Sequence, residues 1–184
     1  SDVCNVGVDS AILYKPIFLV TKPSENDTPT KIYPSKIRLV KVKEMELDIK
    51  QDCGGVDWQA VSETLKSVGM AYYEPDIHRK AFEASHTAVF VYQAERLIGF
   101  GRAISDGAYQ AAIYDCAVLP EFQGKGLGTT IMKNILAKVS HCNVILYAFP
   151  GKEGFYQKLG FRKMKTGMAH FKKGEAMKEG GFTE

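Results

Sequence analysis

The 184-residue chain contains no apolar run long enough to cross a membrane. Its longest run, residues 11–20, is interrupted by Lys15 and Pro16 and falls well short of the roughly 20 residues that a spanning helix needs. The first 20 residues also lack the pattern of a secretory signal, which is a basic start, an apolar core and a small-residue cleavage site. We therefore expect a cytoplasmic protein with no membrane partner.

Cysteine and histidine are too few and too scattered to predict a disulfide framework or a metal site. No two cysteines form a C-x-x-C pair, and no two histidines have the His-x-x-x-His spacing of a zinc-binding helix. We interpret the thiols as reduced and structural, and we assign no metal. The residues are Cys4, Cys53, Cys116 and Cys142, and His78, His86, His141 and His170.

Charge of one sign is not concentrated anywhere along the chain. The 24 Lys and Arg residues are interspersed with 21 Asp and Glu residues, and the net charge is +3. The composition thus gives no reason to expect a nucleic-acid partner, although a mild positive balance suits a polyanionic cofactor. The length is that of one domain with a proper core.

Residues 1–36 differ in composition from the rest of the chain. An apolar, strand-like piece is followed by a linker at Thr21–Ser35 that is rich in Thr, Pro, Ser and Asn. We expect this extension to lie across the domain surface or to pair with a partner subunit in a homodimer. Packing against its own domain is the alternative, and the sequence leaves the two open.

The most informative segment joins an apolar strand to a helix through a glycine-rich turn. Residues 111–119 indicate a buried strand, and residues 127–139 have apolar side chains at helical spacing. The intervening glycines are Gly124, Gly126 and Gly128. A helix N-terminus offers unpaired N–H groups and a positive dipole, so this loop is suited to hold phosphate oxygens.

Spacing distinguishes three kinds of phosphate loop. A Walker loop is excluded, because Lys125 lies between two glycines rather than in a Gly-Lys-Ser/Thr frame. A dinucleotide fingerprint is a poor match, because Thr129 replaces its third glycine and no acidic residue follows about 20 positions on. The third pattern is Gln/Arg-x-x-Gly-x-Gly/Ala after Val-x-Pro, and this segment, from Val118 to Gly128, fills it.

That third pattern resembles the acyl-CoA-binding motif of the GNAT superfamily of N-acetyltransferases. A second family motif follows at the expected spacing, Phe155–Phe161 (FYQKLGF). The resemblance implies an α/β (α+β) fold in which helices cover both faces of a mixed, mostly antiparallel sheet that splays between two strands. We place this domain at residues 37–174 and a C-terminal tail at 175–184.

The order of elements predicted along the domain is similar to that fold. Strands are predicted at 37–42, 86–93, 96–105, 111–119, 143–149, 160–165 and 168–172. Helices are predicted at 58–68, from about 76 to 84, at 127–139 and at 152–159. The resemblance implies that strands 111–119 and 143–149 are the pair that splays apart.

The resemblance also implies where acetyl-CoA binds. Backbone groups of the splayed strand would hold the pantetheine arm, and the glycine loop would hold the diphosphate. Where many relatives carry a cofactor-contacting Asn, this chain has Phe149, so one polar contact is missing or made by water. The predicted cofactor residues are Cys116, Ala117, Val118, Gln123, Gly124, Lys125, Gly126, Leu127, Gly128, Thr129, Phe149 and Tyr156.

Three residues are the catalytic candidates. Tyr156 matches the family tyrosine that protonates the leaving thiolate. Asp115, the one ionisable side chain in an apolar strand, is either the general base or a structural acceptor. Period-two alternation places Tyr114 on the face of Cys116 and Asp115 on the opposite face, unless a bulge intervenes.

The acceptor pocket of this fold is walled by the first two helices, so we predict Trp58, Tyr72, Tyr73 and Tyr114 as substrate-binding. Such an aromatic lining suits a cationic amine of a small molecule. Residues 101–106 and 113–115 also resemble the plant serotonin-type N-acetyltransferases and their bacterial relatives. The alternatives are a protein lysine or N-terminal acetyltransferase, and a non-catalytic acyl-CoA-binding module.

Overall fold

The computed structural model of the chain describes residues 46–184. The predicted N-terminal extension, residues 1–36, and the predicted strand at 37–42 lie outside the described residues.

A five-stranded sheet forms the centre of the domain, with its strands in sequential order. Three neighbouring pairs are antiparallel, and the last pair, β4 with β5, is parallel. This arrangement confirms the predicted mixed, mostly antiparallel sheet. The strands are β1 (Asp48–Lys50), β2 (Thr87–Gln93), β3 (Arg96–Ser105), β4 (Gln110–Val118) and β5 (Asn143–Ile145).

Helices cover both faces of the sheet, as predicted. Two of them, α1 and α2, pack with Phe90 and Phe100 in one apolar cluster, whereas α3 packs with Val89, Val91 and Ile98 in another. Asp57 begins α1 by accepting N–H bonds from Gln59 and Ala60. The helices are α1 (Trp58–Ser67), α2 (Pro75–Glu83), α3 (Leu127–Lys138), α4 (Glu153–Gln157) and α5 (Gly174–Glu179).

Close approach of α3 to the sheet depends on a glycine in β3. A Cβ atom at Gly101 would lie 2.9 Å from both Cys116 Sγ and Ile131 Cγ2. Because interiors are close-packed, those neighbours leave room only for hydrogen at this position. Gly101 therefore lets α3, and the glycine loop before it, lie directly against β4.

A β-bulge in β4 changes which side chains share a face. Phe100 pairs with Ala117 but Arg102 pairs with Tyr114, so β4 carries an extra residue at this point. Asp115 takes up the irregularity with a left-handed backbone, φ +52°. The prediction that Tyr114 shares the face of Cys116 is therefore wrong.

The two faces are distinguished by what each side chain touches. Cys116 Sγ lies 3.5 Å from Met132 Sδ, on the α3 side. Tyr114 lies on the α1/α2 side, where the Arg102 guanidinium sits 5.4 Å from its ring and 5.6 Å from that of Phe82. Because the bulge reverses the alternation, Tyr114 and Asp115 both face α1 and α2.

Strands β4 and β5 separate after three residue pairs, the last being Ala112 with Ile145. The strand predicted at 143–149 is thus shorter than expected, and the strands predicted at 160–165 and 168–172 do not form. Aromatic packing replaces them. The ring of Tyr147 contacts those of Phe171 and Phe182, at 5.6 and 6.0 Å, beside α5 in the predicted tail.

Candidate active site

The glycine loop ends in a helix N-terminus that no side chain caps. Gly124 and Gly126 have left-handed backbones, φ +74° and +85°, and Gly126 is the N-cap of α3. No acidic residue lies in the first turn. Ideal Cβ atoms at both glycines would meet no atom within 4 Å, so the space in front of the loop is open. An anion can reach the first-turn amides there.

Neighbouring residues hold this loop in place. Gln123 Nε2 donates to the carbonyl of Val118, 3.0 Å away, and ties the loop to the end of β4. Leu127, the first residue of α3, is buried in the core. Lys125 Nζ lies 4.9 Å from the centre of the Phe122 ring. Gly128 has a packing role, because a Cβ there would lie 3.3 Å from the ring of Phe155.

This donor set fits coenzyme A. The uncapped amides and a first turn of α3 without an acidic residue suit its diphosphate. Within the described chain, nothing pairs with β4 on its β5 side beyond Ala112. That edge, which includes Cys116, Ala117 and Val118, therefore has backbone groups to offer to an extended pantetheine arm.

Tyr156 lies on α4, against the same face of the sheet as Cys116. Its ring contacts those of Phe155 and Phe161, at 5.0 and 6.1 Å. Burial, with a smaller contribution from the Cys116 thiol, raises the pKa of Tyr156 to about 12. The phenol therefore keeps its proton at neutral pH and can donate it.

Cys116 is poorly suited to act as a nucleophile. Burial, followed by the charge of Asp115, raises the pKa of its thiol to about 12. Since the thiolate is the reactive form, a thiol that stays protonated does not form an acetyl thioester readily. This property favours direct transfer over a covalent enzyme intermediate.

Asp115 is paired with Arg102 rather than free. Its carboxylate accepts from Arg102 Nε at 2.5 Å, and the two side chains are only 23% and 16% exposed. Arg102 Nη1 also donates to Ser85 Oγ, 3.2 Å away. This geometry supports the structural interpretation of Asp115.

We expect Asp115→Asn to destabilise the protein by about 2 kcal/mol, because it leaves the partly buried Arg102 guanidinium without its charged acceptor. Asparagine tolerates a left-handed backbone, so the substitution tests the charge rather than the bulge. Urea denaturation measures the change. The matched control is Glu83→Gln in the pair with Arg79, whose side chains are 46% and 57% exposed; its loss of stability should be much smaller, because solvent screens an exposed pair. Equal losses in the two variants would contradict this account.

The predicted acceptor residues fall into two groups. Tyr114 lies beside Tyr147, with ring centroids 6.0 Å apart, just beyond the point where β4 and β5 separate. Burial raises the pKa of Tyr147, and the charges of Tyr114, Asp115 and Tyr73 raise it further. These residues form the acceptor face, which we define as Tyr73, Tyr114, Asp115 and Tyr147.

The other two predicted residues make different contacts. Trp58 packs into the core against Phe82 and Phe90 and lines a separate cavity of about 460 Å³. Tyr72 is half exposed, with Lys66 Nζ 5.3 Å from its ring, and lines a groove of about 300 Å³ with Tyr73.

Sequence reasoning missed Tyr147 and Arg102. The only available signal for Tyr147 was its alternation with Phe149 in the motif strand. Arg102 falls within the 101–106 resemblance, but nothing local indicated its ion pair with Asp115, because that pair depends on the bulge opposite it.

Within residues 46–184, no group of three potential metal ligands comes together, and no helix is long and apolar enough to span a bilayer.

Residues 57–174 match the family model of the acetyltransferase (GNAT) domain. The chain belongs to the GNAT family of acetyltransferases. The "uncharacterized N-acetyltransferase ycf52" of Porphyra purpurea is 30% identical over 158 residues, which cover 84% of each chain. The chloroplastic serotonin N-acetyltransferase 2 of Oryza sativa is 32% identical over 120 residues, covering 61% of this chain and 60% of that protein.

Solved structures agree on the fold of this GNAT protein. A Staphylococcus aureus protein of unknown function, named as a probable acetyltransferase, superimposes with a TM-score of 0.63 at 26% identity. The match covers 69% of this chain and 99% of that one. Members of this family normally use acetyl-CoA, which agrees with the donor set of the glycine loop.

Proposed function

We propose that this GNAT protein transfers an acetyl group from acetyl-CoA to the primary amine of a small molecule, directly and in a ternary complex. The observation that carries the proposal is the divergence of β4 and β5. The start of α3 and Tyr156 pack on the α3 side of the sheet and Tyr114 lies on the α1/α2 side, which supports a donor site and an acceptor site on opposite faces. A donor and an acceptor can then meet through the gap between the two strands.

The chain's own residues would each supply one part of the chemistry. Acetyl-CoA supplies the activated acetyl thioester when it is bound. The α3 amides hold an anion, the free β4 edge orients an extended chain, and Tyr156 Oη keeps a proton available for a leaving thiolate. The buried, protonated Cys116 thiol stays out of the reaction.

The acceptor face favours a cationic amine that carries an apolar or aromatic group. The Tyr114 and Tyr147 rings, which pack edge to face, would give such a group an aromatic wall. The similarity to a protein named serotonin N-acetyltransferase supports testing arylalkylamines first. The half-exposed Tyr73 would close one side of this face.

An amine panel tests the proposal. Arylalkylamines, alkylamines, amino sugars and lysine-containing peptides would be assayed by thiol release with acetyl-CoA. We expect the highest kcat/KM among the small amines. Highest turnover on peptides would instead assign a protein acetyltransferase, and coenzyme A binding without turnover on any acceptor would assign a non-catalytic module.

A further inference from the structure

Both backbone groups of Tyr73 are held by side chains of the two flanking helices. The Tyr73 N–H donates to Nε2 of His78 in α2, 2.9 Å away. The Tyr73 carbonyl accepts from the hydroxyl of Ser62 in α1, 2.7 Å away. The position of Tyr73, which lies in the connection between α1 and α2, is therefore set by two side chains rather than by regular secondary structure.

His78 can hold this connection only in its neutral form. An imidazole nitrogen accepts a hydrogen bond through its lone pair, and a protonated imidazole has donors alone. Protonation would place two N–H groups against each other at the 2.9 Å contact with Tyr73. The side chain is 4% exposed, so water cannot readily replace the lost partner.

The charges that face His78 come from the sheet. Asp115 on β4 and Arg102 on β3 are the ionised groups that act on it, and the Tyr73 ring lies 5.8 Å from its own. Burial lowers the pKa of His78 below 6.5, Asp115 opposes that change and Arg102 adds to it. The surroundings thus favour the neutral imidazole.

We propose that His78 is a positioning residue that fixes Tyr73 at the acceptor face, and that acid releases this connection by protonating the imidazole. The inference rests on the proposed function only in placing Tyr73 beside the amine. The bonds around Tyr73 do not depend on any substrate.

The direction of the pH effect follows from the lowered pKa. Between the ordinary value and the lower folded value, the unfolded chain binds the His78 proton while the folded chain does not. Stability contributed by the neutral ring is therefore complete above pH 6.5 and is lost as pH falls through the folded pKa. The hydrogen bond to Tyr73 is lost only when the folded chain itself binds the proton, that is, as pH falls through the folded pKa.

Two substitutions separate the hydrogen bond from the titration. His78→Gln retains an acceptor that does not ionise, whereas His78→Leu fills the space with no acceptor. Hydrogen exchange at the Tyr73 amide, expressed as a protection factor, follows the bond directly and needs no acetyl transfer.

We expect His78→Leu to reduce Tyr73 protection about tenfold at pH 7, the effect of one lost hydrogen bond. The native protein should lose protection as pH falls below 6.5 and through the folded pKa of His78, whereas His78→Gln should not. Protection that is equal in all three proteins at every pH would overturn the proposal. If His78→Leu does not fold, the comparison of the native protein with His78→Gln decides the matter alone.

Kinetics then test the link to the amine. His78→Leu should raise KM for the best amine about tenfold, with kcat and the KM for acetyl-CoA nearly unchanged, because only the acceptor side is loosened. His78→Gln should restore the native KM. If protection at Tyr73 is lost but the KM for the amine is unchanged, Tyr73 does not contact the acceptor and the proposal is overturned. Absence of turnover in every protein would instead count against the proposed function.

Discussion

Tyr156→Phe is expected to lower kcat about 100-fold, which is the low end of the contribution of a positioned proton donor. The phenol is half-buried and its pKa is raised to about 12, so it enters the reaction as a neutral donor. Phenylalanine keeps the ring contacts with Phe155 and Phe161 and removes only the proton. The affinity for coenzyme A, measured by calorimetry, should change less than about twofold.

The pH profile offers a second readout for the same residue. A donor whose pKa is about 12 stays protonated throughout the assay range, so Tyr156 should produce no alkaline loss of kcat below about pH 10. The matched control is Tyr109→Phe, at a tyrosine that is 64% exposed in the turn between β3 and β4. Native kcat in Tyr156→Phe, or equal losses in the two variants, would remove Tyr156 from the chemistry.

Gly126→Val is expected to weaken coenzyme A binding about 100-fold, since displacing two amide donors to a charged ligand costs about 3 kcal/mol. Gly126 has φ +85°, a conformation that disfavours a β-branched side chain. Relief of that strain moves the N-cap of α3 and the amides that follow it. Titration calorimetry with coenzyme A measures the loss.

Gly55→Val is the matched control for backbone strain. Gly55 also has a left-handed backbone, φ +69°, and a Cβ there meets no atom within 4 Å. It lies before α1, far along the chain from the glycine loop. Both variants should lose stability of about 1–2 kcal/mol, but only Gly126→Val should lose affinity. Equal affinities in the two variants would show that the loop does not bind the cofactor.

Local patterns predicted the elements that position the loop. The helix predicted at 127–139 is observed at 127–138, and the hairpin predicted at 86–93 and 96–105 is observed within one residue. Apolar periodicity and the turn before the helix carry that information within a few residues of the chain. The glycine motif therefore located both the loop and the start of α3 from sequence.

Features that depend on distant contacts could not be predicted in this way. The bulge at Asp115 arises from pairing with β3, and alternation alone placed Tyr114 on the wrong face. The segments predicted as strands at 160–165 and 168–172 mix apolar and basic residues, and neither forms a strand. Phe171 and Phe182 instead pack on Tyr147, an arrangement that no local signal contains.

At the acceptor face, too, the sequence predicted some of the residues and not their packing. Tyr73 and Tyr114 were predicted from the element order; the Tyr114 ring lies 6.0 Å from that of Tyr147, and the Tyr73 ring lies 5.8 Å from that of His78. Trp58 was predicted on equal grounds but packs against Phe82 and Phe90 in the core. Composition identifies aromatic residues near a site, whereas packing determines which of them face it.

An amide NMR titration with coenzyme A, run beside one with pantetheine, tests the central claim most directly. If the α3 N-terminus holds the diphosphate, coenzyme A should shift the amide signals of residues 124–129 more than any others. Pantetheine, which lacks the diphosphate, should leave those signals in place. Signals at 124–129 that do not move with coenzyme A would contradict the account.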